Sequence, residues 1–199
     1  MKYLKYILCA IILAQLGTSA LAEEDVTVII RRIYVDDNVY TPYYDIETEQ
    51  NHEQGSAQRW VRLAVEYSTK GGWIDQLTIK HFALVGHHGN ADPVILTEEV
   101  NYMNIGEGNH VSYVYMHPNC SKRYDVRAKE LDSAVIFSID GKTVASKETS
   151  KYADKKWTED PAFVVHSGHL LNEAETPFWF VNYDYKEMIK NSAHNGHSK

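Results

Sequence analysis

The chain has 199 residues, of which 44% are hydrophobic and 24% charged, and its formal net charge is −7 at pH 7. This length and apolar content suffice for one globular domain with a sizeable core. The acidic balance disfavours phosphate backbones and anionic membranes, and no basic patch interleaved with aromatic residues occurs in the sequence. We therefore expect no nucleic acid among its partners.

The first 22 residues have the three parts of a secretory signal peptide. Lys2 and Lys5 precede an apolar run over residues 7–16, and Ala20-Leu21-Ala22 forms a small-x-small cleavage site. The alternative is an uncleaved N-terminal anchor. No later stretch reaches the ~20 apolar residues of a transmembrane helix. We expect an exported protein of the periplasm or cell surface, with no transmembrane span after signal cleavage.

Cleavage after Ala22 leaves 177 of the 199 residues and removes Lys2 and Lys5, which changes the net charge from −7 to −9. One cysteine, Cys120, remains, so no internal disulfide can form and packing alone must hold the fold. We expect Cys120 to be buried and inert, because free cysteine is among the most buried residue types. The alternatives are a pairing with another chain and a reactive thiol.

The first part of the mature chain predicts one strand and one irregular segment. β-branched residues dominate residues 26–35, which favours a strand. Residues 39–57 lack a strand or helix period and contain Tyr40, Tyr43 and Tyr44. They predict a long loop or an added edge element, since three tyrosines are unusual in a disordered linker.

Residues 59–85 are predicted to be the central element, a long antiparallel hairpin. Apolar and polar residues alternate on both sides of Lys70-Gly71-Gly72, and a period of two places the apolar set on one buried face. Trp60 and Trp73 bracket the turn with large apolar surfaces. His81 shares the parity of the apolar set, so we expect a hydrogen-bonded core histidine there.

Two further strand pairs are predicted. Residues 94–105 and 110–116 flank a turn at Gly106-Glu107-Gly108-Asn109, and a second hairpin turns at Asp140-Gly141, where both residues tolerate positive φ. The other segments are short. In chain order we predict a helical turn or loop at 118–122, a strand or helix at 126–131, helical turns at 151–157, extended pieces at 163–165 and 168–171, an aromatic closing segment at 177–184, and a helix at 186–191.

About eight closely spaced strands without alternating helices predict an all-β fold. We expect an immunoglobulin-like antiparallel β-sandwich with one or two short helices. With no internal repeat or break in composition, it forms a single domain over residues 23–191, followed by a disordered tail at 192–199. The cysteine pair of antibody domains is absent, so the residue pattern itself supports the general sandwich architecture.

Short structural motifs give the chain a family resemblance. Gly72-Trp73-Ile74-Asp75-Gln76-Leu77, the Asp140-Gly141 hairpin, and Glu175-Thr176-Pro177-Phe178 followed by Tyr183-Asp184-Tyr185 carry it. On these residues the chain resembles exported immunoglobulin-like proteins encoded beside type IV pilus-like machinery in mucin-associated bacteria. The resemblance implies an accessory protein of the cell envelope, and it transfers no active site.

Histidine spacing raises the question of a metal site. His87-His88, His117-Pro118-Asn119-Cys120 and His166-Ser167-Gly168-His169 are the candidates. Structural zinc sites show paired ligand spacings, and no such partner pair and no HExxH motif is present. We expect ordinary loop histidines, no metal and no cofactor.

Motifs for covalent catalysis are missing. The sequence has no Gly-x-Ser-x-Gly elbow, no Ser-x-x-Lys motif and no glycine-rich phosphate loop. Asp36-Asp37, Glu98-Glu99 and Glu159-Asp160 could face each other as an acid and a base, as in glycosidases. On an acidic protein such neighbours are expected to form a solvated rim, so we expect no catalytic residues and no enzymatic activity.

The tyrosines are the best candidates for a binding surface. Exposed tyrosines stack on sugars and make rigid protein contacts, and Tyr40, Tyr43 and Tyr44 are placed to do so; alternatively they cover an edge of the sandwich. The expected function is non-enzymatic contact with cell-envelope or pilus-like proteins, in pilus-like assembly or surface adhesion, by strand addition at an open sheet edge. The alternative functions are a carbohydrate-binding module, with glycans as partners, and a secreted hydrolase.

Overall fold

A computed structural model describes residues 26–42, 57–86, 92–149, 156–181 and 186–190. The signal peptide and the C-terminal tail predicted from the sequence lie outside these residues. The strands and the helix, in chain order, are β1 Thr27–Tyr40, β2 Arg59–Lys70, β3 Ile74–Val85, β4 Val94–Ile105, β5 Gly108–Met116, α1 Pro118–Arg123, β6 Asp132–Ile139, β7 Lys142–Thr149, β8 Val164–Ser167, β9 Leu170–Asn172 and β10 Met188–Ile189. Short 3₁₀ turns occur at Ala128–Glu130, Trp157–Glu159, Glu173–Glu175 and Pro177–Phe180.

These strands form two sheets packed face to face, which confirms the predicted all-β sandwich. The first sheet has the order β1-β2-β5-β9 and is antiparallel throughout. The second has the order β10-β4-β3-β6-β7, and β8 adds to β4 in parallel. Within the described residues, no helix has the length and apolarity needed to span a bilayer.

The main core lies between the sheets and follows from the period-two pattern. Leu63, Val65 and Tyr67 of β2 are at most 1% exposed and pack in one cluster with Leu77 and Ile79 of β3. Alternate residues point the other way and build two smaller clusters on the outer faces. Their buried members are Phe82, Leu84, Ile95, Ala134 and Trp157 on the second sheet, and Trp60, Tyr115 and Phe178 on the first.

The predicted central hairpin is wrong. β2 pairs with β1 and β5, whereas β3 pairs with β4 and β6, so the turn at Lys70-Gly71-Gly72 carries the chain from one sheet to the other. The predicted pairing of residues 94–105 with 110–116 is wrong for the same reason, because β4 and β5 belong to different sheets. Alternation shows which face of a strand is buried, and it does not show which strand is its hydrogen-bonded neighbour.

Both crossings meet at one corner of the sandwich. The Glu107 carboxylate accepts hydrogen bonds from the backbone N–H groups of Gly71, at 2.8 Å, and Gly72, at 2.7 Å. These bonds lower the pKa of Glu107. Trp73, which is 73% exposed, lays its ring beside Gly106, where a Cβ would meet it at 3.4 Å. The corner is therefore fixed by hydrogen bonds. Of the two tryptophans predicted to bracket the turn, Trp60 is buried and Trp73 is exposed.

The β6–β7 hairpin is confirmed. Asp140 has φ 50° and Gly141 has φ 74°, the paired positive values of a type I′ turn, and the strands on either side are in antiparallel register. The predicted extended pieces at 163–165 and 168–171 are confirmed as β8 and β9. Of the helical turn or loop predicted at 118–122, the helical turn forms, as α1. The segment at 126–131, predicted as a strand or a helix, forms neither a strand nor an α-helix and contains a 3₁₀ turn.

The C-terminal predictions are partly wrong. The aromatic segment starts as a 3₁₀ turn because Pro177 takes its first position and Thr176 Oγ1 accepts the N–H of Phe178 at 3.2 Å. The helix predicted at 186–191 is absent from the described residues 186–190. Met188 and Ile189 instead form β10 on the edge of β4, where the backbone N–H of Lys190 also bonds to Asn101 O at 2.8 Å.

Candidate functional site: a C-terminal pocket and an uncharged strand edge

Only one member of the predicted tyrosine surface can be located. β1 extends beyond the strand predicted at residues 26–35, and Tyr40 is its last residue. Tyr40 is 54% exposed. Tyr43 and Tyr44 lie outside the described residues. Tyr40 supplies an exposed ring at one end of an edge strand.

The structure brings two of the predicted histidine motifs together. His117, Cys120 and His169 line one pocket of about 390 Å³, and the ring of His166 lies 5.9 Å from that of His169. Among the described residues, however, no group of three or more histidine, cysteine, aspartate or glutamate side chains is close enough to hold a metal ion. His87 and His88 lie outside the described residues.

Cys120 is free and buried, as predicted. Burial raises the pKa of its thiol to about 11, so the unreactive protonated form dominates at neutral pH.

His81 is a buried core histidine, as predicted. Its Nε2 lies 2.9 Å from Ser112 Oγ, to which the Tyr102 hydroxyl donates a hydrogen bond at 2.7 Å. Because the tyrosine hydroxyl donates to Ser112, the serine hydroxyl can donate to a neutral His81. Burial lowers the pKa of His81 to about 3, which agrees with a neutral ring. Ser112 is 0% exposed, so no substrate reaches this serine and histidine.

Among the adjacent carboxylates expected to form a solvated rim, Glu99, Glu159 and Asp160 are exposed, whereas Glu98 departs from the expectation because it is partly buried. Asp36 pairs with Arg62 at 3.2 Å, and Asp37 accepts the N–H of Ala128 at 2.9 Å. Glu98 faces the interior and Glu99 is exposed. Burial raises the pKa of Glu98 to about 7, and the carboxylates of Glu175 and Glu99 add to the rise.

A pocket of about 370 Å³, the C-terminal pocket, lies between the two sheets and the C-terminal residues. It is lined by both sheets, by Phe178 of the last 3₁₀ turn, and by Lys186, Glu187 and Ile189. Its apolar wall contains the ring of Tyr115, which stacks on Phe178 with centroids 4.4 Å apart. Arg62 lies over the Tyr113 ring at 5.2 Å and adds a cationic group. The volume is within the usual range of small-ligand pockets.

Four titratable side chains of the pocket form two pairs. Lys186 Nζ lies 2.5 Å from Glu173 Oε1, both side chains are at most 13% exposed, and Lys186 also donates to Phe178 O at 2.8 Å. His110 Nδ1 lies 2.6 Å from Glu187 Oε1. These pairs hold the C-terminal segment against both sheets, and they leave the chemistry of a ligand unspecified.

β8 is the second candidate site. Val164 is 59% and Val165 56% exposed, and the strand pairs with β4 and with no other described strand. Residues 162–168 contain no Asp, Glu, Lys or Arg. Phe163 anchors the strand against the outer cluster of the second sheet. Within the described part of the chain, β8 therefore has a free edge that is fixed in place, that exposes two valines followed by His166 and Ser167, and that lacks Asp, Glu, Lys and Arg.

Sequence reasoning missed the pocket residues. His110 and Glu187 are 77 positions apart, and Lys186 and Glu173 bond across an irregular segment with no periodic pattern. A signal did exist for β8, since the uncharged β-branched stretch at 162–168 is visible in the sequence. It indicated a short strand, but not that the strand lies at an edge.

The fold and these sites define a β-sandwich protein whose second sheet has, among the described residues, an edge strand with no second neighbour. A protein-family model matches residues 19–193, and the chain belongs to that family. Its structure is similar to the crystal structure of a protein from Akkermansia muciniphila, with a TM-score of 0.71 and 26% sequence identity over 83% of this chain and 94% of that chain. No curated protein matches the sequence.

The match to a protein of Akkermansia muciniphila, a mucin-associated bacterium, agrees with that part of the predicted resemblance. The immunoglobulin-like type and the pilus-like role stay predictions.

Proposed function

We propose that this protein is an exported, non-enzymatic component of the cell envelope, and that it binds a partner protein by strand addition to β8. In strand addition an extended segment of the partner bonds to the free backbone groups of an edge strand, and pockets or faces beside that strand select its side chains. An apolar edge such as β8 suits a partner segment that is itself extended, β-branched and uncharged.

The observation that carries the proposal is the unprotected edge of β8. Natural edge strands are commonly blunted by charges, by proline or by coverage with another element, because a bare edge pairs with other chains. β8 has no charge, and Val164 and Val165 are both more than half exposed. An apolar edge without these protections is a candidate interface.

Two other edge strands are protected. β1 carries Arg31, Arg32 and Asp36, and β7 carries Lys147 and Glu148. These strands also lie beside each other, where Lys147 Nζ donates to Arg31 O at 2.8 Å. Strand addition at either of them would have to displace this contact or leave charges unpaired, which disfavours them relative to β8.

Export is supported by the signal-peptide pattern of the first 22 residues. The resemblance to exported accessory proteins of pilus-like systems supplies the setting, which is assembly of a pilus-like structure or surface adhesion. The partner is then a protein of the cell envelope.

Photo-crosslinking tests the proposal at single positions. A benzophenone amino acid placed at Val165 should crosslink to a defined envelope protein in intact cells, and the crosslinked peptide of that protein should be an extended, uncharged segment. The same probe at Val144, an exposed valine on β7, is the matched control. Equal crosslinking from both positions, or none from Val165, would overturn strand addition at β8.

A substitution sharpens the same test. Val165→Lys places a charge on the edge, as protected natural edges have, and should abolish recovery of the partner while the fold persists. Val144→Lys should leave recovery unchanged. Retained binding by Val165→Lys would show that the partner uses another surface.

Exposure of Tyr40 favours carbohydrate binding as a second candidate function. Tyr40 is 54% exposed at the end of β1, where its ring is available for stacking. If glycans are the partners, Tyr40→Ala should weaken retention on a glycan array, whereas Val165→Lys should have no effect. Absence of retention by the unmodified protein would exclude this function.

A further inference from the structure

We infer that residues 186–190 form a proton-dependent latch, which is closed when both ring nitrogens of His110 carry a proton. The latch bridges the two sheets and forms one wall of the C-terminal pocket. This inference is independent of strand addition at β8, because it concerns the opposite end of the β4 edge.

The partners of His110 Nε2 require a proton on that atom. Nε2 lies 3.1 Å from Gly106 O, which can only accept, and 2.9 Å from Thr69 Oγ1. Thr69 already donates its hydroxyl proton to Gly106 O at 2.6 Å, so towards His110 it can only accept as well. An unprotonated Nε2 would direct its lone pair at two acceptors.

The partner of Nδ1 requires a proton too. Nδ1 lies 2.6 Å from Glu187 Oε1, a distance typical of a charge-assisted hydrogen bond. A proton must lie between the two atoms, and we place it on Nδ1, facing an ionised Glu187. Counted over both nitrogens, the closed latch binds one proton more than a neutral histidine and an ionised glutamate that are apart.

The pair of His110 and Glu187 fastens a short segment that makes few backbone hydrogen bonds. β10 pairs only Met188 and Ile189 with β4, and Lys190 N adds one bond to Asn101 O. Pairing of two strand residues is weak by itself. Ile189 also packs against the main core, and Lys190 Nζ donates to Gln76 Oε1 at 3.3 Å. The pairs of Glu187 with His110 and of Lys186 with Glu173 add the contacts that bridge to β5 and to the turn at Glu173–Glu175.

The other groups around His110 do not provide an alternative switch. Tyr67 of β2 stacks on the ring at 5.1 Å, and Tyr102 of β4 lines the same pocket. Burial raises the pKa of both tyrosines far above neutral pH, so both stay protonated. The remaining charged groups of the pocket are Arg62, which is bound to Asp36, and the pair formed by Lys186 and Glu173.

The sign of the pH dependence follows from the proton count. Because the closed state binds the extra proton, a fall in pH favours closing of the latch and a rise in pH favours its opening.

Hydrogen exchange at one amide tests the latch. In the full mature protein, the protection factor of the Lys190 N–H reports the bond to Asn101 O directly. It should fall about tenfold or more between roughly pH 5.5 and 8, because a hydrogen bond to a charged group contributes about 1.5–3 kcal/mol. Nitrogen NMR of the His110 ring in the same samples should show two protonated nitrogens whenever Lys190 is protected.

Three variants test whether His110 and Glu187 cause the protection of the Lys190 N–H. His110→Gln should give low protection at every pH, and Glu187→Gln should remove most of the pH dependence. His166→Gln, an exposed histidine on β8, should behave as the unmodified protein does. Unchanged protection of Lys190 across the pH range, or a neutral His110 ring in a protein with Lys190 still protected, would overturn the latch without a variant being needed.

Discussion

The two long sides of the sandwich are closed in different ways. On one side β1 and β7, both continuous and charged, lie against each other with exposed contacts such as Lys147 Nζ to Arg31 O. On the other side β4 and β5 are covered by β8, β9, β10 and short turns. Buried polar contacts hold these pieces, including Lys186 with Glu173 and Asn172 with Glu98.

The contacts between β1 and β7 are screened by solvent, whereas those on the β4 and β5 side are largely removed from it. Exposed charges contribute little to stability but protect an edge from other strands. Buried charges are costly to leave unpaired. The side covered by β8, β9 and β10 (the patched side) therefore depends on specific partners and on pH. The same side also contains the unprotected edge of β8, so the features that suggest function are concentrated there.

Lys186→Ala should have the largest effect. It leaves Glu173, which is 13% exposed, without its cation, and breaking a buried ion pair typically costs about 3–5 kcal/mol. We expect a loss of about 3 kcal/mol in the free energy of unfolding, measured by urea denaturation. Arg127→Ala, which removes an exposed pair with Asp125, is the control and should cost about 0.5 kcal/mol or less. Equal losses would show that the patched side is not held by buried charge.

Tyr102→Phe should cost about 1–2 kcal/mol. The substitution removes the donor of a buried hydrogen bond to Ser112 and leaves the ring in place. Tyr113→Phe, at a half-buried position on the rim of the pocket, should cost less. A larger loss for Tyr113→Phe would contradict the assignment of the buried network to Tyr102, Ser112 and His81.

Glu98→Gln should stabilise the protein at alkaline pH. The folded pKa of about 7 lies above the value of about 4.3 in an unfolded chain, so the native state binds more protons between these values. Stability therefore falls as the pH rises through this window, and the amide removes that loss. We expect a gain of about 1 kcal/mol at pH 8, after allowance for the partial exposure of Glu98, and little change near pH 4.5.

Unfolding in urea at the two pH values measures this gain, with Glu99→Gln as the control because Glu99 is exposed on the other face of β4. A gain of the same size for Glu99→Gln would mean that general charge reduction, and not burial of Glu98, is the cause.

Lys147→Ala should have the smallest effect, below about 0.5 kcal/mol, because the bond from Lys147 Nζ to Arg31 O is exposed. This loss in the free energy of unfolding is compared with that of Lys186→Ala to test the difference between the two sides. A loss as large as that of Lys186→Ala would show that the β1–β7 side also depends on individual polar contacts.

Local patterns predicted the parts of the fold that depend on neighbours in sequence. Alternation in β2 and β3 identified the buried face and the inward position of His81, and Asp140-Gly141 identified the β6–β7 turn. The pairing of strands was not predictable in this way, because β2 and β3 have the same pattern whether they share a sheet or face each other across the core.

The candidate site was less predictable than the fold. The pocket joins His110 to Glu187, and neither residue belongs to a motif. β10 is only two residues long, and its strand conformation comes from the edge of β4 and from side-chain contacts. Propensity over so short a segment is a weak signal, which explains the incorrect prediction of a helix there.

Because both connections cross between the sheets, each sheet is assembled from strands that are far apart in sequence. The centre of the first sheet pairs Val61 with Met116, and the second sheet pairs Leu84 with Asp132, so neither sheet can be completed by one contiguous stretch of chain. Such non-local pairing gives a high contact order, and folding of similar sandwiches takes roughly milliseconds to seconds. During synthesis, neither sheet can be completed until residues beyond β6 are available.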